Sequence, residues 1–256
     1  MIVSEQHKFV FVEIPHTGSH SVSNELTGLY GGKAIVRKHA NITQYMAWAK
    51  GEQKGYFKFA TVRNPLDYMA TMYEKYRSNH KGQYTNEKAL LKNGGHVTGE
   101  HLKHFDYVHN QGGSFEGFMK TFFDKVYNNW FLVGSHQFDY VMKFENLQSE
   151  FAHVLGLIGV EKVRDIPHIN PTKGKRPFEE YYTESLKDLV LRNYGPFMKK
   201  WGYEFPLGWQ ASEIPSACDL RFRLKDTLVD RTASLVKLDP DSPMVSRCKK
   251  LVDAVI

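Results

Sequence analysis

The sequence predicts an α/β fold with a central parallel sheet flanked by helices. Two runs of apolar, β-branched and aromatic residues carry that prediction: residues 8–14 (KFVFVEI) and 56–62 (YFKFATV). Each leads within a few residues into a segment of helical periodicity. Strands that alternate with helices form parallel sheets, because a parallel pairing needs a long crossover and that crossover is usually a helix.

Pro15 ends the first run, and His16-Thr17-Gly18-Ser19-His20 makes a short polar loop. Residues 21–30 then place Val22, Leu26 and Leu29 on one helical face, and Gly31-Gly32 stops the helix. Asn41 is a candidate cap for a helix running to Lys50 and closed by Gly51. After the second run, Arg63-Asn64-Pro65 breaks the strand, and residues 66–77 are expected to be helical, with Met69, Met72, Tyr73 and Tyr76 for packing. Residues 78–113, rich in Gly, Asn, Lys and His, predict an excursion with one short helix. Ser114 is a candidate cap for a helix through Tyr127. Residues 129–133 and 139–144 are strand-like, and 145–158 read as a helix ended by Gly159. A basic loop punctuated by proline spans 165–177, and 178–201 is a helical stretch broken near Gly195-Pro196. The organisation expected is an α/β domain over residues 1–206 and a C-terminal helical appendage over 207–256.

The 256 residues are 41% hydrophobic and 24% charged, which excludes a disordered chain, a collagen-like repeat and a coiled coil. Lys and Arg number 34 against 28 for Asp and Glu, and the resulting charge of +6 suits an anionic ligand without identifying one. Cys218 and Cys248 are too few for a disulfide framework or a zinc cluster and are expected to be free thiols. No stretch of about 20 consecutive apolar residues is present, and the first residues lack the pattern of a secretory signal. The expectation is a soluble cytoplasmic protein. Asn41-Ile42-Thr43 matches the glycosylation sequon, which a cytoplasmic chain would not use.

Three segments carry candidate chemistry. A strand that stops at a small-residue turn and opens a helix presents unpaired backbone N–H groups and the positive end of the helix dipole, a cradle for phosphate or sulfate. Thr17, Ser19 and Ser21 add hydroxyls to that loop. The nucleoside-triphosphatase pattern, GxxxxGK followed by Ser or Thr, is absent. Arg63 stands where the carboxyl edge of a parallel sheet would place it, and ligands of open α/β folds bind at that edge. Thr71 follows eight residues later. Asn170-Pro171-Thr172-Lys173-Gly174-Lys175-Arg176 sets three cations beside a glycine, a composition that can fold over a polyanion. Taken singly, the three segments are equally an ordinary turn, a surface ion pair and a solvated loop.

Taken in order, they resemble one family. FVFVEIPHTGSHSV is similar to the 5′-phosphosulfate loop of sulfotransferases, close to hIPKTGGTS in the carbohydrate branch. FATVRNPLDYMATMY resembles their 3′-phosphate segment, VRdPxxRxxSxY, with Arg63 on its Arg, Pro65 on its Pro, Thr71 on its Ser and Tyr73 on its Tyr. YVMKFENLQSEFAHVLGLIGV resembles the later vvrfEdL…LG segment, INPTKGK the N-x-T-K-G loop of heparan-type enzymes, and YYTESLKDLVLRNYGPFMKKWGYEF the terminal helix with its fGY ending. The resemblance covers roughly residues 7–206. It implies the P-loop nucleotide-hydrolase-like sulfotransferase fold and transfer of a sulfuryl group from 3′-phosphoadenosine-5′-phosphosulfate (PAPS) to a hydroxyl, less readily an amine, of a carbohydrate or other polar small molecule. It further implies 3′-phosphoadenosine-5′-phosphate (PAP) as the product. No metal is expected, no nucleic acid because the charge has no matching motif beside it, and no membrane for want of an apolar span, with a homodimer as an allowed state.

By the same resemblance His16, Thr17, Gly18, Ser19, His20 and Ser21 would hold the phosphosulfate. Arg63 and Thr71 would hold the 3′-phosphate, and Lys173, Gly174, Lys175 and Arg176 would cover the nucleotide. Arg suits the phosphate because its forked donors match the oxygens. Two departures stand out. His16 replaces the family's Lys or Arg, and Ser19-His20 replaces its Gly-Thr. A protonated His16 could substitute for the missing cation. An acceptor hydroxyl needs a base within hydrogen-bond reach. His16, His20, His101 and His104 are the candidates for catalytic roles, among His96, Glu100, Asp106, His109 and His136. Two rivals remain: a nucleotide-binding pseudo-enzyme of the same fold, with His16 as its mark, and a nucleotide-dependent phosphotransferase, which lacks an evident magnesium carboxylate.

Overall fold

The computed structural model describes residues 1–132, 134–169 and 171–235. Among them, strands β1 (Ile2–Ser4), β2 (Phe9–Val12), β3 (Lys33–Ala34), β4 (Phe57–Val62) and β5 (Tyr140–Lys143) form one sheet in the order β3-β1-β2-β4-β5. The helices are α1 (Ser19–Leu29), α2 (Ile42–Trp48), α3 (Pro65–Arg77), α4 (Gly99–Phe105), α5 (Phe115–Phe122), α6 (Leu147–Leu157), α7 (Lys187–Asn193), α8 (Gly195–Trp201) and α9 (Ser216–Leu235). Contacts divide the chain into two compact units. The first comprises Met1–Arg63, Asn128–Ile169 and Arg221–Ile256, of which 236–256 lie outside the described residues; the second comprises Asn64–Tyr127 and Asn170–Leu220.

The α/β class is as expected, but the sheet is mixed rather than wholly parallel. β2, β4 and β5 run parallel, whereas β1 is antiparallel to both β2 and β3. The reason is local: β1 and β2 are a hairpin closed by residues 5–8, with Lys8 in the left-handed region at φ 51°. An antiparallel pair can be joined by such a short turn, and a parallel pair cannot. The expected strand over 129–133 is not formed. Trp130–Leu132 is a 3-10 turn, in which the Asn129 side chain accepts from the Phe131 N–H (3.1 Å) and its carbonyl from the Leu132 N–H (2.9 Å). That local bonding competes with strand pairing. Val133 lies outside the described residues.

In the first unit, the alternation of the strands sorts their side chains to two faces. Phe9 and Phe11 stand opposite Phe57 and Phe59 in register. With Met142 they form one face of the core, covered by Val22 and Leu26 of α1 and by Phe151, Val154 and Leu155 of α6. Val10, Val12, Ala60 and Val62 are equally buried, so the central strands are apolar on both sides, as parallel strands normally are. Asn41 caps α2 reciprocally with Gln44, its carboxamide oxygen accepting from the Gln44 N–H at 3.0 Å. The sequon asparagine is therefore a buried cap.

The second unit has its own core, in which Leu66, Met69 and Tyr76 of α3 meet Phe118 and Met119 of α5, Val190 of α7 and Met198 of α8. The excursion after α3 carries α4 as its short α-helix, continued directly by a π-helical turn, Asp106–Asn110. α5 is capped by Ser114 but ends at Phe122, short of the expected Tyr127. Asn193 binds the chain beyond it: its Nδ2 donates to the Phe123 carbonyl (3.2 Å) and its carbonyl accepts from the Tyr127 N–H (2.8 Å). The stretch expected to be helical over 178–201 divides into 3-10 turns, α7 and α8, with the break at Tyr194 just before Pro196. Trp209 is buried in this core and donates from Nε1 to Glu184 at 2.9 Å. The part of the expected appendage at 236–256, with Cys248, lies outside the described residues, and Cys218 is a free thiol.

Candidate functional site

In the first unit, the carboxyl ends of β2, β4 and β5 meet at one edge. The register aligns Val12 with Ala60 and Val62 with Lys143, so the segments leaving the three strands begin side by side. From β2 leaves the loop 13–18, from β4 comes Arg63, and from β5 the 3-10 turn Phe144–Asn146. Such an edge is where open α/β sheets bind ligands.

Gly18 opens α1 in the left-handed conformation, φ 74°. A Cβ there would stand 3.0 Å from both Leu147 Cδ2 and Phe144 Cε2, so a glycine is required by the backbone angle and by the neighbours together. Thr17 is buried and ties the loop back on itself, its hydroxyl donating to the Ile14 carbonyl at 2.9 Å. Ser19 is buried, Ser21 half-buried, and His16 and His20 are exposed. His16 has φ 63°, an uncommon angle for a non-glycine residue. No acidic residue lies in the first turn of α1, so the helix end keeps its attraction for an anion. The buried carboxylate nearest in sequence, Glu13, accepts from the Ser23 hydroxyl (2.8 Å) and pairs with the Met1 amino group. Burial pushes its pKa up, but these partners outweigh burial and hold it below the ordinary value.

Arg63 docks on that loop. Its Nη1 donates to the His16 carbonyl at 2.9 Å, and its guanidinium lies 4.5 Å from the centroid of the Phe144 ring. The structure thus brings His16, Thr17, Gly18, Ser19, His20, Ser21 and Arg63 together. Phe144 and Leu147, which complete the wall, were not singled out from sequence, although both fall in the segment FENL. An aromatic that stacks a cation has no local sequence mark.

The second unit gathers the remaining candidates around α3. Asp67, Thr71 and Glu74 follow at i, i+4 and i+7 and share one face of the helix. The basic loop runs along this face: Lys175 pairs with Asp67, and Gly174, φ 75°, would place a Cβ 3.1 Å from Arg77 Nη2. Arg176 stacks on Tyr181, 4.9 Å from the ring centroid, and pairs with Glu180 at 3.1 Å. Lys173 is exposed, Thr71 is buried, and Asn170 lies outside the described residues. Tyr73 donates to the Gly113 carbonyl at 3.1 Å, and burial followed by the Glu74 charge raises its pKa.

The two histidines of the excursion sit differently. His101 caps α4, its Nδ1 accepting from the Thr98 N–H at 3.2 Å, and burial lowers its pKa. His104 is 5% exposed, enclosed by the rings of Tyr76, Phe118, Phe122 and Phe123, with Nδ1 3.3 Å from the Tyr76 hydroxyl. Burial, with a smaller contribution from His101, depresses its pKa to about 4, so it is a neutral core residue near pH 7. Among the described residues no group of three or more His, Cys, Asp or Glu is placed to hold a metal ion, and no helix is long and apolar enough to cross a membrane.

Residues 1–195 match the family model described as the sulfotransferase family. Searches of curated proteins and of solved structures return no match.

Proposed function

The chain belongs to the sulfotransferase family, and from that premise we propose that it moves a sulfuryl group from PAPS to a hydroxyl of a carbohydrate or other polar small molecule, releasing PAP. The observation that carries the reading is the docking of Arg63 on the glycine-opened loop, which sets a forked cation beside a helix N-terminus at the carboxyl edge of parallel strands. The two features are chemically suited to a donor with anionic groups at both ends of its ribose. We assign the fold on the same grounds to the P-loop-like class.

In this reading the backbone of residues 17–19 and the hydroxyls of Ser19 and Ser21 receive the phosphosulfate, with His16 and His20 beside it, while the Thr17 hydroxyl, donated to Ile14, holds the loop in shape. Arg63 and Thr71 take the 3′-phosphate, and Lys173, Lys175 and Arg176 supply the covering charge. The donor contributes an activated sulfur. The chain's own residues orient it and neutralise charge on the departing phosphate oxygen, as in phosphoryl transfer. The acceptor's proton requires a base. The burial of His104 and the capping role of His101 favour an exposed group, His16 or His20, over either of them. The cytoplasmic location, a small-molecule or glycan acceptor and a homodimeric state belong to the same proposal.

A second reading is favoured by one observation: the family's cation is replaced by His16 at a left-handed φ. In it the chain binds the nucleotide without turnover. The test is calorimetric titration of PAP into the wild type and Arg63→Ala, followed by radiolabelled-sulfate transfer from PAPS to a panel of sugars and hydroxylated metabolites. The expected result is micromolar binding that weakens by about 2 kcal/mol in the variant, the size of a charge-assisted hydrogen bond. Absence of wild-type binding would overturn the assignment, and binding without transfer would select the second reading.

A further inference from the structure

The basic loop over 173–176 is held in place by groups that donor recognition does not itself use. Glu74 is 3% exposed and both its oxygens are engaged. Oε2 accepts from Arg77 Nε at 2.8 Å and Nη2 at 2.7 Å, and Oε1 accepts from the Tyr181 hydroxyl at 2.9 Å. That hydroxyl in turn accepts from the Arg176 backbone N–H at 3.2 Å. The Arg77 guanidinium, fixed by Glu74, forms the floor on which Gly174 rests, where any side chain would meet it at 3.1 Å. Burial pushes the Tyr181 pKa up, with the Glu74 bond adding to it, so the phenol stays protonated and donates to the carboxylate. The chain of contacts therefore runs from the interior of α3, through Glu74, to two points of the loop: by Arg77 to Gly174 and by Tyr181 to Arg176.

We propose that Tyr181 and Glu74 are positioning residues for the nucleotide, acting through the loop rather than touching the ligand. The inference rests on the reading that Lys173, Lys175 and Arg176 cover the donor. A loop that carries three cations next to a flexible glycine has many conformations, and binding must select one; the population already in that conformation scales the apparent affinity. The Glu74–Tyr181 pair supplies that selection without placing a charge of its own on the ligand, because the carboxylate is paired with Arg77. Lys175 is oriented by Asp67, on the same face of α3 as Glu74.

The experiment is PAP titration by calorimetry into the full chain as wild type, as Tyr181→Phe, as a loop variant in which Lys173, Lys175 and Arg176 are all alanine, and as the loop variant combined with Tyr181→Phe. Tyr181→Phe keeps the ring on which Arg176 stacks and removes only the bridging hydroxyl. It is expected to weaken binding about tenfold in the wild-type background, one hydrogen bond's worth of loop order, and to change nothing in the loop variant, where no cations remain to be positioned. Equal weakening in both backgrounds would mean that the hydroxyl acts only on the general structure and would overturn the inference. So would a Tyr181→Phe protein that binds as tightly as the wild type. A wild type that fails to bind PAP overturns this inference and the donor reading together, whereas the two preceding outcomes leave the donor reading standing.

Discussion

Gly18→Ala tests whether the anion cradle is built as described. The new methyl would meet two obstacles at once. The backbone at φ 74° is left-handed, which costs an L-residue about 1–2 kcal/mol. The Cβ would also approach Leu147 Cδ2 and Phe144 Cε2 to 3.0 Å, closer than carbon atoms sit in a packed interior. Because Phe144 carries the Arg63 guanidinium on its ring, it cannot yield without moving the cation. Overpacking of this kind costs about 1–3 kcal/mol. The sum is a destabilisation of about 2–5 kcal/mol, read as a shift in the denaturant midpoint, together with weakened PAP binding as Arg63 is displaced. Gly28→Ala is the matched control. It lies in the same helix with nothing within 4 Å of the added carbon, and there the gain in helix propensity should stabilise by about 0.5–1 kcal/mol. One substitution, made twice ten residues apart, is expected to act with opposite signs. If Gly18→Ala unfolds within 0.5 kcal/mol of the wild type, the argument for a glycine-dependent cradle is wrong.

Two further outcomes follow from the same geometry. His104 has a folded pKa near 4 against an ordinary value of about 6.5, so the unfolded chain binds a proton first as pH falls. Its neutral form therefore favours folding above pH 6.5, and that advantage is lost between pH 6.5 and 4, to the extent of about 3 kcal/mol; urea midpoints of the wild type and His104→Leu across that range should show a stability decline that is shallower in the variant, and parallel curves would count against the assignment. Asn41→Ala removes the half of the α2 capping box in which the Asn41 carboxamide accepts from the Gln44 N–H, and leaves the backbone N–H of position 41 to the Gln44 side chain; it should lower stability by about 1 kcal/mol, measured by thermal unfolding, with no change in PAP affinity.

Much of the site was legible because its chemistry is local. The strand 8–14, the turn at Gly18 and the break at Arg63-Asn64-Pro65 are written in consecutive residues, and β2, α1, β4 and α3 begin or end within a few residues of those marks. The hairpin strand β1 escaped notice because its three residues are too few to show alternation and its turn uses Lys8 rather than a glycine at positive φ. α5 stops where Asn193, 70 positions away, takes the Phe123 carbonyl that a further helical turn would have used. His101 and His104 look alike on paper, three residues apart in a histidine-rich stretch. Their surroundings separate them into a helix cap and an aromatic-caged core residue.

The order of residue types along the chain was enough to settle the α/β class, the helix-opening loop and the family resemblance, because hydrophobic period, caps and anion-binding turns act over a handful of neighbours. Folding in three dimensions decided the rest. The parallel pairing of β2 with β4, the stacking of Arg63 on Phe144 and the bond from Tyr181 to Glu74 all join residues far apart in sequence. Such contacts depend on distance and direction in space, and the pattern of a single segment carries no record of which distant group will arrive to meet it.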